Sequence, residues 1–166
     1  MPQILETTRF TVVAPDRPHH SRENGGHVVL TPKQVFEHRY EMPLPLAAEL
    51  MHLTMAVGEA LTTVLRAEGL DVVRINYQDN GNWAYKVVPA RPRLHVHLYV
   101  RTTHERHPAD DPRFQAFPDA LVFPDRATGY YDKFEPLAAG TIEAVAEETR
   151  RLLHTDKYRS AGLILE

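Results

Sequence analysis

Cysteine is absent from all 166 residues of the chain. Disulfides, thiolate metal centres and cysteine nucleophiles are excluded together. Long apolar runs are missing too, and none approaches the ~20 residues a membrane helix requires. The opening Met1-Pro2-Gln3-Ile4-Leu5-Glu6 carries neither a basic segment nor an apolar one, so no secretory signal is read and the cytoplasm is the expected location. A large excess of either charge is lacking as well. The formal net charge of -3 gives no general pull toward nucleic acid or membrane, so any anion site must be local. What is present, 43% hydrophobic and 25% charged residues, suits one domain with a proper core. Histidine is plentiful at ten copies, and their placement matters more than their number.

Arg9 to Ala14 is β-rich and reads as a first strand. Pro15-Asp16-Arg17-Pro18 breaks it, and a polar loop runs through His19-His20 to Gly25-Gly26. His27-Val28-Val29-Leu30-Thr31 is a compact second strand stopped by Pro32. Glycine just ahead of a strand marks a place where backbone approaches something closely. Lys33 to Pro45 is an irregular connection. From Pro45 onward Leu46, Leu50, Leu53, Val57, Leu61 and Val64 keep helical spacing until Gly69. Leu70 to Tyr77 is a third strand, Asn80-Gly81 a hairpin signal, and Trp83 to Val88 a short strand or edge.

The stretch Leu94-His95-Val96-His97-Leu98-Tyr99-Val100-Arg101 organises the rest. Strand alternation puts His95 and His97 on one face with Arg93 and Tyr99, and Val96 and Leu98 on the other. Thr102 to Pro136 is proline-rich but dotted with aromatics, which predicts an ordered wrap over the sheet. Beyond Ala138, Ile142, Val145, Ala146, Thr149 and Leu153 return to helical spacing, with acids early and bases late as the helix dipole favours. The order predicts an α+β fold with a mainly antiparallel sheet, since a tight turn joins neighbours and only one long crossover exists.

Two imidazoles on a rigid strand can form a metal edge, a nucleophile-plus-acid pair or a phosphate cradle. Around them stand His27, the amides Asn76, Gln78, Asn80 and Asn82, and the cations Arg91, Arg93 and Arg101. That set suits a phosphorylated substrate held near imidazole. The competing reading is a metal held by His27, His95 and His97. Against it, no carboxylate adjoins the histidine strand, and Asp79 is the nearest. His19, His20, His104 and His107 read as solvated loop residues, and Trp83 and Tyr85 as packing.

Gly26-His27-Val28-Val29-Leu30-Thr31-Pro32-Lys33, a long helix, Asn76-Tyr77-Gln78-Asp79-Asn80-Gly81 and then His95 to Arg101 together resemble the histidine triad (HIT) superfamily. The family motif is His-φ-His-φ-His-φ-φ, φ being apolar. In register with its trailing apolar pair, His95 takes the nucleophile position, His97 the third histidine, and Arg93 stands where the first would be.

The resemblance implies a HIT-like core over residues 9–102, with one long crossover helix, and an extension over 103–166 (wrap plus C-terminal helix) packed on the same domain. It implies a nucleotide-binding hydrolase or nucleotidyl transferase that splits a phosphoanhydride or phosphoramidate, such as a dinucleoside polyphosphate, through a nucleotidyl-histidine. His95, His97 and His27 would be catalytic, the latter two stabilising the phosphate as imidazolium. Asn76, Gln78, Asn80, Arg93 and Arg101 would bind substrate. No metal or other cofactor is implied. The expected partners are a nucleotide-like small molecule and a second copy in a homodimer, with no membrane and no specific nucleic acid. The incomplete triad leaves a catalytically inactive nucleotide-binding module as an alternative.

Overall fold

Leu44–Ala67 form α1, a helix of 24 residues. Pro45 falls in its first turn, where a missing N–H costs nothing. Its buried stripe includes Leu46, Leu50, Leu53, Val57, Leu61 and Leu65. Each such side chain contributes roughly 1.5–3 kcal/mol when removed from water. The helix stops where Gly69 takes φ +92°. There the Leu70 N–H returns to the Leu65 carbonyl at 2.9 Å, the closing bond of a glycine C-terminal cap.

The computed structural model describes residues 1–79, 84–85, 88–103, 105 and 128–159. The strands are β1 (Gln3–Glu6), β2 (Phe10–Val13), β3 (His27–Pro32), β4 (Val72–Gln78) and β5 (Val96–Thr102). They form one sheet in the order β1-β2-β3-β5-β4, with every neighbouring pair antiparallel. β3 and β4 therefore run parallel with β5 between them, which is why a long crossover, α1, must join them. A second helix, α2 (Ala139–Leu153), packs against α1. No described helix is long and apolar enough to cross a membrane.

One face of the sheet meets these helices. Val28, Leu30, Val96, Leu98 and Val100 join a single core with Leu53, Val57 and Leu61 of α1 and Ile142 and Val145 of α2. The other face carries the histidines. Within β5 every residue from Val96 to Val100 is buried, so the strand is covered on both sides. The second cover is the loop before β3, with Pro18, His19, His20 and Ser21 all buried, together with Tyr131.

The fold differs from the sequence-based expectation in three places. β1 was not foreseen. Ile4 and Leu5 are both buried although adjacent, because the β1–β2 register shifts between Gln3 and Leu5 and erases the alternation. The short strand expected at 83–88 is not formed by its described residues, and β4 pairs directly with β5. Ala84 and Tyr85 lie in a helical turn, and Tyr85 is exposed, its hydroxyl donating to Glu37 rather than packing in a core. The hairpin signal Asn80-Gly81, and Trp83, lie outside the described residues.

Candidate active site

Antiparallel register decides which side chains share a face. His27 of β3 lies opposite Tyr99 of β5, and Val29 opposite His97. On the other flank Asn76 of β4 lies opposite Tyr99, and Gln78 opposite His97. Directly opposite residues point to the same side of a sheet. His27, His97, Tyr99, Asn76 and Gln78 therefore rise together from the face away from α1.

His95 stands one residue ahead of the paired part of β5 and is half-buried. Its Nδ1 lies 2.7 Å from the carbonyl oxygen of Arg93. A carbonyl only accepts, so Nδ1 carries the proton and Nε2 holds a lone pair. Among the described residues no hydrogen bond uses that Nε2. The His95 ring meets the His97 ring edge-on, with centroids 4.7 Å apart.

His27 and His97 are buried and joined, with Nε2 of His27 2.8 Å from Nδ1 of His97. A third group orders their protons. The backbone N–H of His19 donates to Nδ1 of His27 at 3.1 Å. Since Nδ1 accepts, the proton of His27 is on Nε2, which donates to Nδ1 of His97, and the proton of His97 is then on its own Nε2. The pair is neutral in this pattern. A second proton on His97 would point at the proton of His27, so the imidazolium form expected from the sequence does not fit.

His19 is the residue that sequence reasoning missed. Instead of lying in solvent it is buried at 4% exposure, stacked 4.9 Å from His27 and tilted against Tyr131 at 4.6 Å, with Nδ1 3.0 Å from the Tyr99 hydroxyl. His20 is buried as well, its Nε2 3.1 Å from the Asn24 carbonyl. The signal that pointed here was Gly25-Gly26. Both take positive φ, and a Cβ on Gly25 would stand 2.7 Å from Cβ of Val100, so the loop lies flush on β5.

Among the described residues, nitrogen atoms of His19, His27 and His97 lie within 4.8 Å of one another, so this three-imidazole group includes His19 and not His95. The hydrogen bonds argue against a metal there. His27 has one nitrogen accepting from a backbone N–H and the other donating to His97. To ligate through Nε2 while keeping the first bond, it would have to become imidazolate.

No protein-family model matches the sequence, and no curated protein matches it significantly. Solved structures do. A hypothetical histidine triad nucleotide-binding protein from Sulfolobus tokodaii strain 7 superposes with a TM-score of 0.55 at 18% identity, over 91% of this chain and 85% of that one. A histidine triad protein from Bradyrhizobium japonicum gives 0.55 at 17% identity, over 89% of both chains. One from Marinobacter aquaeolei VT8 gives 0.51 at 17%, again over 89% of both. The fold is the histidine triad fold.

On that fold the remaining expected site residues are dispersed. Asn76 and Gln78 sit on β4 beside Tyr99 and His97, whereas Asn80 lies outside the described residues. Arg93, at the place of the first triad histidine, is exposed and donates from Nη2 to the Pro32 carbonyl at 2.9 Å, bracing the strand mouth. Arg101, expected to bind substrate, is paired within the chain. Its guanidinium is held bidentately by Glu105, whose side chain is largely buried. A carboxylate in that position neutralises the cation and occupies its fork. His104 and His107 are not among the described residues.

Proposed function

We propose that this chain is a HIT-superfamily nucleotide hydrolase or nucleotidyl transferase, acting on a phosphoanhydride or phosphoramidate through a nucleotidyl-histidine on His95. The observation that carries this reading is the 2.7 Å hydrogen bond from Nδ1–H of His95 to the Arg93 carbonyl. It aims an unshared Nε2 lone pair from a fixed ring beside His97, as a nucleophile requires. Nε2 attacks the phosphorus, a P–Nε2 bond forms, and the leaving group departs with the bonding electron pair. Water then attacks the same phosphorus, the P–Nε2 bond breaks, and one proton of the water passes to solvent. An alcohol or second phosphate in place of water would make the reaction a transfer.

His97 presents Nε2–H to a phosphoryl oxygen, and His27 holds His97 in that tautomer. A hydrogen bond made to charge that grows in the transition state is the effect phosphoryl transfer most needs. Asn76 and Gln78 supply neutral amides on the same face, and the exposed guanidinium of Arg93 lies at its mouth. Loss of the first triad histidine does not touch these elements. The catalytic reading is therefore preferred to an inactive binding module. A panel of dinucleoside polyphosphates and nucleoside phosphoramidates, offered to wild type and to His95→Ala, tests it. Turnover by wild type alone is expected, and equal turnover by both would overturn it.

The same reading includes a homodimer. β4 ends the sheet order, so one of its edges has no partner among the described strands. Beside it Val73, Tyr77, Met51 and Met55 are exposed large apolar groups on β4 and α1. An open edge next to exposed apolar side chains fits a second copy continuing the sheet.

A further inference from the structure

The hydrogen bonds behind His97 limit what the site can do with protons, and this bears on the leaving group. His97 can give its Nε2 proton away only if it gains another at Nδ1. That proton would have to come from Nε2 of His27, 2.8 Å away. His27 could release it only by taking a proton at Nδ1, and Nδ1 already accepts from the backbone N–H of His19 at 3.1 Å. Two N–H groups cannot point at each other along one hydrogen bond, and an imidazolate is inaccessible near neutral pH.

The amide of His19 is itself held in place. The His19 ring is stacked on His27, tilted against Tyr131 and hydrogen-bonded to the Tyr99 hydroxyl. The loop around it is tied down by Arg22 N–H to the Glu135 carbonyl at 2.9 Å and by Val100 N–H to the Gly26 carbonyl at 3.2 Å. His95 offers no proton either, because its Nδ1–H is spent on Arg93 and its Nε2 is the nucleophile.

We propose that His19 is a positioning residue that keeps the His27–His97 pair neutral, so that the pair binds phosphate but does not protonate the leaving group. The site then selects nucleoside phosphoanhydrides, whose leaving group is a stable phosphate anion, over phosphoramidates of ordinary amines. The inference rests on the nucleotidyl-transfer reading above. In the balance of the first step, the P–Nε2 bond forms and the P–O bond breaks. The leaving oxygen takes the electron pair as an anion, and no protein proton moves. An alkylamine leaving group cannot depart this way, since it would leave as an amide ion.

Two measurements on the intact chain decide it. Histidine 15N NMR of wild type is expected to find His27 unprotonated at Nδ1 and protonated at Nε2. A proton on His27 Nδ1 overturns the proposal, whether or not any substrate is turned over. In kinetics, a dinucleoside polyphosphate is expected to exceed the matching alkyl phosphoramidate in kcat/KM by about a hundred-fold or more, the scale of a missing general acid. His19→Pro, which removes the N–H, is expected to narrow that ratio by raising relative phosphoramidate turnover. His19→Ala, which keeps the N–H, is the folding control and should retain most of it. Equal rates on both substrates in wild type, or an unchanged ratio in a folded His19→Pro, overturn it. If nothing is turned over, the nucleotidyl-transfer reading fails and the NMR result alone judges His19.

Discussion

Nε2 of His27 and Nδ1 of His97 lie 2.8 Å apart on neighbouring antiparallel strands, both inside the protein. The two residues are not directly opposite, because His27 faces Tyr99 and His97 faces Val29. Their contact is a diagonal one, bridged by long side chains on one face. His97→Ala removes the donor that this contact orients. The expected loss in kcat is about 10²–10³-fold, the cost of one preorganised donor to a developing charge. Steady-state kinetics beside a thermal melt separates this from unfolding.

Gly25 tests how tightly the loop carrying His19 must lie on β5. Its φ is +116°, and a Cβ would meet Val100 Cβ at 2.7 Å and the Val100 carbonyl oxygen at 2.8 Å. Gly25→Ala is expected to destabilise by roughly 2–4 kcal/mol, combining left-handed strain with overpacking against backbone. Gly69→Ala is the comparison, with φ +92° and nothing within 4 Å of the added methyl. It should cost only about 1–2 kcal/mol. Denaturant titrations of both variants give the difference.

Two glutamates on α1 should respond to pH with opposite signs. Lys157 and Tyr158 hydrogen-bond Glu59 and hold its carboxyl below the usual range. A depressed folded value means stability that is present above the ordinary carboxylate pKa and is lost as pH falls through the lowered one. Glu59→Gln should therefore be less stable than wild type at pH 7, by less than about 1 kcal/mol since the pair is solvent-screened, and equal to it in acid. Burial raises Glu49, against the weaker pull of Arg9. Its charged form is the disfavoured one, so Glu49→Gln should cost nothing at pH 7 or stabilise slightly. Melting temperatures from acid to pH 8 check both.

Met51 is 54% exposed on α1 and lines one cavity with Tyr77 of β4, the strand that ends the sheet order. Met51→Glu would set a charge in the proposed dimer contact while leaving the core untouched. Light scattering should find wild type as a dimer and this variant shifted to monomer with an unchanged melt at low concentration. A wild type that is monomeric at high concentration contradicts the dimer.

Much of this arrangement was legible in the chain. The Leu46–Leu65 spacing, Pro45 and Gly69 marked α1, because helix period and caps are local properties. Alternation marked β5, although both of its faces proved to be buried. β1 escaped because a register shift buried Ile4 and Leu5 together. His19 escaped for a different reason. Pro-Asp-Arg-Pro-His-His has the composition of a solvated loop, and tertiary contacts with His27, Tyr99 and Tyr131, far apart in the chain, place His19 inside. The pairing of Arg101 with Glu105 was equally hidden, since charge alone does not say which partner wins.

Whether Nε2 of His95 forms a bond to phosphorus is read by intact-mass spectrometry of turnover quenched without acid. Mixed with a dinucleoside polyphosphate, wild type is expected to gain the mass of one nucleotidyl group, and His95→Ala to gain none. Turnover by wild type with no such adduct under single-turnover conditions, or an adduct that persists in His95→Ala, would rule out His95 as the nucleophile.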